Sequence, residues 1–274
     1  MFRVVSLVPS ATETLLAWNI EPIGVTRFCE QGDRYPTFGG TKDPHLESIV
    51  SASPDLVVMC DQENRKEDAE ALAAAGIRVH AIHITQVDHV GPEMILLAQA
   101  LGLDPAFGES CSAISAPRSA MSSGSEHCLS SPPQSATKDE WAGKLPVRVF
   151  VPIWRKPWMT INNDTYGGSI LEASGFANVF SAHADRYPTV SPEEIVAKQP
   201  HVVLAPSEPY PFTERQRAEL EAFASVRFVD GKDLFWWGAR TPSALARIRG
   251  LHQESRPESN SPERIRSESN ERES

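Results

Sequence analysis

Short apolar runs separated by helix-like stretches set the pattern of this chain. The first run is Arg3-Val4-Val5-Ser6-Leu7-Val8. Pro54-Asp55-Leu56-Val57-Val58 and Ile77 to Ile82 follow. Runs this short and this rich in β-branched residues read as strands. Between them, Leu46 to Val50 reads as a helix start. Ala69 to Ala75 is helix-like and stops at Gly76. Gly91 to Leu103 is predicted helical, with Met94, Leu97, Ala98 and Leu101 on one face. The second half repeats the alternation with the strands Arg148 to Ile153 and Pro200 to Leu204. Strands that alternate with helices predict an α/β fold with parallel sheets, and ligands of such sheets sit outside the carboxyl ends of the strands.

The two halves also share spacings. Ile49 to Pro54 is five residues, and so is Ile195 to Pro200. Arg3 to Pro54 is 51 residues and Arg148 to Pro200 is 52. Agreement at both ranges points to one unit built twice. The expected division is an N-terminal α/β lobe at 1–90, a connector at 91–144, a C-terminal α/β lobe at 145–252 and a tail at 253–274. The fold class expected is thus two Rossmann-like lobes joined by a connecting helix, with a ligand cleft between the lobes. Residues 110–140 are dense in Ser and Pro, and Pro117, Pro132 and Pro133 would break a helix there. Residues 253–274 hold one aliphatic residue, Ile265, among charged and polar ones. They are expected to be disordered.

Composition narrows the partners. The 274 residues carry a formal net charge of −10, which argues against nucleic acid and against an anionic membrane surface. No apolar run approaches the roughly 18–20 residues of a membrane-spanning helix. The first residues start a strand and show no export signal, so the chain as it stands is expected in the cytoplasm. A start site elsewhere would make it periplasmic or cell-surface. Cys29, Cys60, Cys111 and Cys128 have no CxxC spacing, which fits free thiols.

Candidate chemistry is mostly aromatic. Trp154, Trp158, Tyr166, Tyr187, Tyr210, Phe212, Phe235, Trp236 and Trp237 lie in segments that mostly follow strands of the second half. Aromatics on such loops offer a flat ligand large contact area at low entropy cost. The alternative is ordinary packing within the lobe. Arg27, Arg155, Lys156 and Arg240 lie in similar loops, where each could meet a ligand carboxylate or brace a loop. Ser10 to Glu13 and Ser191 to Glu194 have capping-box spacing, and Thr241-Pro242 repeats the cap-then-Pro arrangement. Cys60 reads as a small buried thiol. His80 and His83 are three apart on a strand and point to opposite faces, and His83 and His89 converge only by folding. No metal site is expected, because neither HExxH nor a Cys/His cluster occurs. Gly39-Gly40-Thr41-Lys42 lacks the spacing of a phosphate loop. No GxSxG elbow supplies a nucleophile, so no catalytic residue is assigned.

Four segments carry a family resemblance. They are Val4 to Glu13, Gly39 to Pro44, Ser53 to Val58, and Tyr187-Pro188-Thr189-Val190-Ser191-Pro192-Glu193-Glu194-Ile195. On these the chain resembles the substrate-binding proteins of ABC importers for cobalamin and ferric siderophores. The resemblance implies lobes joined by one long helix, with a corrinoid, haem or iron chelate in the cleft and no further cofactor. It implies ligand contacts from Tyr187 and Trp236, and it puts Cys60 where another cleft aromatic often stands. With the loop residues, the expected ligand set is Trp154, Arg155, Trp158, Tyr187, Trp236, Trp237, Arg240, Arg27 and Cys60. Glu193 matches an acid that docks on permease arginines, and Glu63 and Glu67 are candidates for its first-lobe counterpart. The expectation is a monomeric, non-catalytic binder of a metal chelate, with an ABC permease as a further partner. Two alternatives stay open. One is a cytosolic tetrapyrrole- or metal-handling enzyme of chelatase kind, with Asp61, Glu63, His83 and Asp164 as acid–base candidates. The other is a ligand-sensing interaction protein.

Overall fold

The computed structural model describes residues 2–30, 32–112 and 146–255. The Ser/Pro-rich segment from 113 to 140 and the tail from 256 lie outside the described residues. The chain divides into two units. Among the described residues, one unit holds those up to 112 together with Trp236–Pro242, and the other holds 146–235 and 243–255.

In the first unit the order is β1 (Val4–Ser6), α1 (Pro9–Ala17), α2 (Leu46–Ala52), β2 (Leu56–Cys60), α3 (Lys66–Ala74), β3 (Val79–Ile82), α4 (Val87–Ala100) and α5 (Ala106–Glu109). The strands form a parallel sheet in the order β1-β2-β3, with Val4 opposite Leu56 and Cys60 opposite Ile82. Single bridges from Val5 to Gly24 and from Val25 to Thr37 continue the ladder past β1. Every residue of β2 is buried. This is the pattern of a strand covered on both faces. Val5, Leu7, Val57, Met59, Ile49, Leu72 and Phe38 form the core on one of those faces.

The second unit runs β4 (Val147–Phe150), β5 (Trp158–Met159), α6 (Tyr166–Ala173), β6 (Phe176–Asn178), β7 (Thr189–Val190), α7 (Pro192–Ala197), β8 (Val202–Pro206), a 3-10 turn at Glu214–Gln216, α8 (Arg217–Glu221), β9 (Ser225–Val229), α9 (Lys232–Phe235) and α10 (Thr241–Glu254), the last beginning at the border. Its sheet is parallel in the order β6-β4-β8-β9, and β5 pairs with β7 as an antiparallel ribbon. The α/β architecture with two parallel sheets is the one expected.

The duplication inferred from spacing recurs in atomic detail. Arg3 donates from its guanidinium to the Ala52 carbonyl at 2.7 Å, and Arg148 donates to the Lys198 carbonyl. The Arg3 carbonyl accepts from Asp55 N–H and the Arg148 carbonyl from His201 N–H, both at 2.8 Å. Ser53 and Gln199 both take left-handed backbone, at φ 47 and 45, immediately before Pro54 and Pro200. Each unit therefore ends a helix at a left-handed residue and enters the next strand through a proline, while an arginine on the neighbouring strand holds the helix's last carbonyls. Ile49 and Ile195, at matching positions, are both fully buried.

Several expected details differ. Ser191 caps α7 through a complete capping box. Ser10 does not cap α1: with Pro9 in its first turn the helix starts earlier, Val8 is the N-cap, and Ser10 lies within the first turn. The helix expected from Gly91 begins at Val87, because Val87 and Val90 extend the same buried stripe by one turn. The described part of the expected connector, 91–112, packs within the first unit, where α4 lies against α5 and β3. Trp236–Pro242, expected with the C-terminal lobe, also belongs to the first unit. Gln253 and Glu254, expected in the tail, are the last turn of α10.

Candidate functional site

In the first unit, chemistry collects where the strands end. The register that sets Cys60 beside Ile82 brings the next residues, Asp61 and His83, together. Asp61 Oδ2 lies 2.6 Å from His83 Nδ1. The His89 ring follows at 6.1 Å between centroids. Arg27 forms a forked pair with Asp43 at 2.9 Å and lies over the exposed Phe28 ring at 5.0 Å. The Gly39-Gly40 pair makes this possible. A Cβ on Gly40 would stand 2.4 Å from Asp43 Oδ1 and 2.8 Å from Arg27 Nη2, and Gly39 sits at φ 85. Arg27 is thus braced by the turn it faces.

Cys60 is not at the surface. It is 1% exposed, and burial, with Glu63 adding, pushes its thiol up to about 12. It packs in the sheet and offers a ligand no contact there. Its N–H donates to Asn64 Oδ1 at 2.8 Å, and Asn64 Nδ2 donates to the carbonyls of Leu7 at 3.2 Å and Thr41 at 2.9 Å. One buried amide therefore ties the end of β1, the glycine turn and the end of β2. Sequence reading passed over Asn64, since a lone Asn after a strand has no distinguishing pattern.

Trp236–Pro242 adds a second cluster to this unit. Arg240 makes a bidentate bond to Glu13, both contacts at 2.7 Å, and lies over the Trp236 ring at 5.6 Å. Thr14 Oγ1 accepts from Ala239 N–H at 3.1 Å. A Cβ on Gly238, whose φ is 101, would stand 2.0 Å from that hydroxyl, so this crossing needs glycine. Trp236 is half-buried. Trp237, at 3% exposed, is core and is removed from the contact surface.

The second unit carries a chain of rings from surface to core. Trp154 meets Tyr210 edge-on at 5.5 Å, Tyr210 meets Phe212 at 4.6 Å, and Phe212 stacks on Trp158 at 6.1 Å. Trp154, after β4, is 46% exposed, whereas Trp158 is 6% exposed and belongs to the core. Trp158 was expected at the ligand and instead anchors the rings beneath. Arg155 donates to Glu219 Oε2 at 2.7 Å and also bonds Tyr210. These two bonds raise its pKa, and they hold the guanidinium against the ring chain. Tyr187 is 54% exposed, in the segment after β6. The carbonyls on either side are pinned: Arg186 O accepts from Asn162 N–H at 3.0 Å and Pro188 O from Thr160 N–H at 3.1 Å. Asp164 pairs with Arg186 at 2.8 Å.

Glu193 is exposed in the first turn of α7, and Glu67 is exposed in the first turn of α3. The repeat matches Glu193, two residues before the buried Ile195, with Glu47, two before Ile49. Among the described residues Cys29, Cys60 and Cys111 are free, buried thiols, and no helix is long and apolar enough to cross a membrane.

Two units of this kind on one chain have the fold of the periplasmic substrate-binding proteins. No family model matches the chain. Among solved structures it aligns with the periplasmic vitamin B12-binding protein of Vibrio cholerae at a TM-score of 0.69, with 17% identity, over 92% of this chain and 97% of the other. A periplasmic haem-binding protein of a Roseiflexus species in its apo form gives 0.69 with 21% identity, over 93% and 98%. At these identities the structures establish the fold. The sequence itself is 26% identical over 205 residues to the vitamin B12-binding protein of Salmonella choleraesuis, covering 74% of this chain and 71% of the relative. The resemblance carried by the four segments is borne out. The chain is thus similar in sequence to a protein named for binding vitamin B12.

Proposed function

We propose that this protein binds a corrinoid or other metal chelate, such as cobalamin, haem or a ferric siderophore, on its strand-end loops, without catalysis, and hands it to an ABC permease. The observation that carries the reading is the pair of exposed aromatics held ready by structure, Trp154 on its ring chain and Tyr187 on its pinned segment. Large exposed rings on braced loops give a flat ligand contact area with little ordering cost. Within the first unit, Trp236, with Arg240 over its ring, is the aromatic proposed for ligand contact. The names of the relatives support the same ligand class. Glu193 and its repeat counterpart Glu47 are the acids proposed to meet permease arginines; Glu67 is the further candidate in the first unit.

Visible-absorbance titration of the folded chain with aquocobalamin, ferric protoporphyrin and a ferric siderophore tests the reading. The expected result is a saturable spectral shift with at least one of them, at micromolar affinity or better. Flat titrations with all three would contradict it.

A further inference from the structure

The carboxyl ends of β2 and β3 carry a histidine whose ring is already oriented. Asp61 N–H donates to the Ile82 carbonyl at 3.2 Å, which extends the ladder one residue past the strands. That places Asp61 Oδ2 2.6 Å from His83 Nδ1. A carboxylate only accepts, so Nδ1 carries the hydrogen and the neutral ring keeps its lone pair on Nε2. A carboxylate behind an imidazole in this way fixes tautomer and orientation, as metal-ligating histidines require. The backbone is held too, since His83 N–H donates to Glu93 Oε2 at 3.3 Å. The side chain is 54% exposed, so the ring is accessible. Among the described residues, no group of three or more His, Cys, Asp and Glu side chains is placed to hold a bare metal ion. One oriented imidazole without a cage suits a metal that arrives with its other ligands in place.

We infer that His83 is an axial ligand, through Nε2, to the metal of a planar macrocyclic chelate, and that Asp61 is its positioning residue. This rests on the chelate-binding function proposed above and narrows it. A porphyrin or corrin occupies the equatorial positions of its metal and leaves an exchangeable one on the axis. A hexadentate oxygen chelate of ferric iron fills every position and leaves an imidazole none. The step is a ligand substitution. The Nε2 lone pair forms a bond to the metal as bound water leaves, with no change of oxidation state and no proton released.

The test is titration of the full chain with ferric protoporphyrin, with aquocobalamin and with a ferric hydroxamate siderophore, read by visible absorption, alongside His83→Ala, His83→Gln and Asp61→Asn. With at least one macrocycle, the wild type should take the spectrum of an imidazole-ligated metal. His83→Ala should still bind but show the water-ligated spectrum, and added imidazole should restore the original. Asp61→Asn should keep the imidazole signature and bind roughly 10–100-fold more weakly. If His83→Ala does not fold by circular dichroism, His83→Gln decides. Identical bound spectra for the wild type and the His83 variants would overturn the inference and leave the proposed function standing. So would binding of the siderophore alone. Binding of none of the three would overturn both.

Discussion

At the scale of single residues, neighbouring tryptophans divide into contact and core. Trp154 exposes nearly half its surface, while Trp158, four residues on, is stacked beneath it through Tyr210 and Phe212. Trp154→Ala or Tyr187→Ala is expected to cost about 1–3 kcal/mol of chelate affinity with the fold intact, measured by titration. Trp158→Ala is expected to cost about 3–5 kcal/mol of stability, measured by urea denaturation. Both kinds of tryptophan follow the same strand in sequence, and strand-end position alone does not say which ring points inward. The same holds for Trp237 beside Trp236. Cys60 makes a third prediction. Its thiol sits at about 12 in the fold, raised by burial, against roughly 8.5 when unfolded. Because the folded value is the higher one, the stability it carries is complete below about pH 8.5 and is lost as pH climbs toward 12. Cys60 should resist alkylation at neutral pH while the chain is folded. Ready labelling of the native protein there would contradict its burial.

At the scale of elements, β1, β2, β3, β4 and β8 were legible in the sequence because β-branched runs bounded by Pro and Gly admit few readings, whereas the shorter β5, β6 and β7, and β9, were not. The joints between them were less so. The α7 cap was legible from Ser191 and Glu194, whereas the same spacing at Ser10 and Glu13 misled. Pro9 starts α1 early, and Glu13 turns to Arg240, far along the chain. Long-range partners of that kind leave no local trace, and Asn64 is another case. Asn64→Ala leaves a buried N–H, a buried carbonyl and a part-buried carbonyl without this partner, and should destabilise the first unit by about 1–3 kcal/mol. An unchanged thermal midpoint would show that these groups find other partners. Gln199→Gly should act in the opposite sense, raising stability by up to about 1 kcal/mol, because glycine adopts φ 45 without the Cβ penalty. A lower midpoint for that variant would place the strain elsewhere.

At the scale of the molecule, one sequence repeat explains two parallel sheets, each fed by the same helix stop and the same arginine brace. The repeat itself was readable from the spacings of Arg3, Pro54, Arg148 and Pro200, but the arginine brace and the left-handed helix stop were not. The return of Trp236–Pro242 to the first unit was not, since it depends on Gly238 lying against Thr14 and on Arg240 reaching Glu13. Folding thereby moves Trp236 and Arg240 from the second unit's expected ligand set to the first. The groups proposed to meet a chelate are then, each within its own unit, the exposed Trp154 and Tyr187 of the second and the half-buried Trp236 and the exposed Asp61–His83 pair of the first. The most direct measurement is co-elution of the full chain with each of the three chelates on a sizing column, read in the visible band and by protein absorbance. Binding on these loops predicts one chelate per chain under the protein peak for at least one of them. Colourless, folded protein with all three would contradict it.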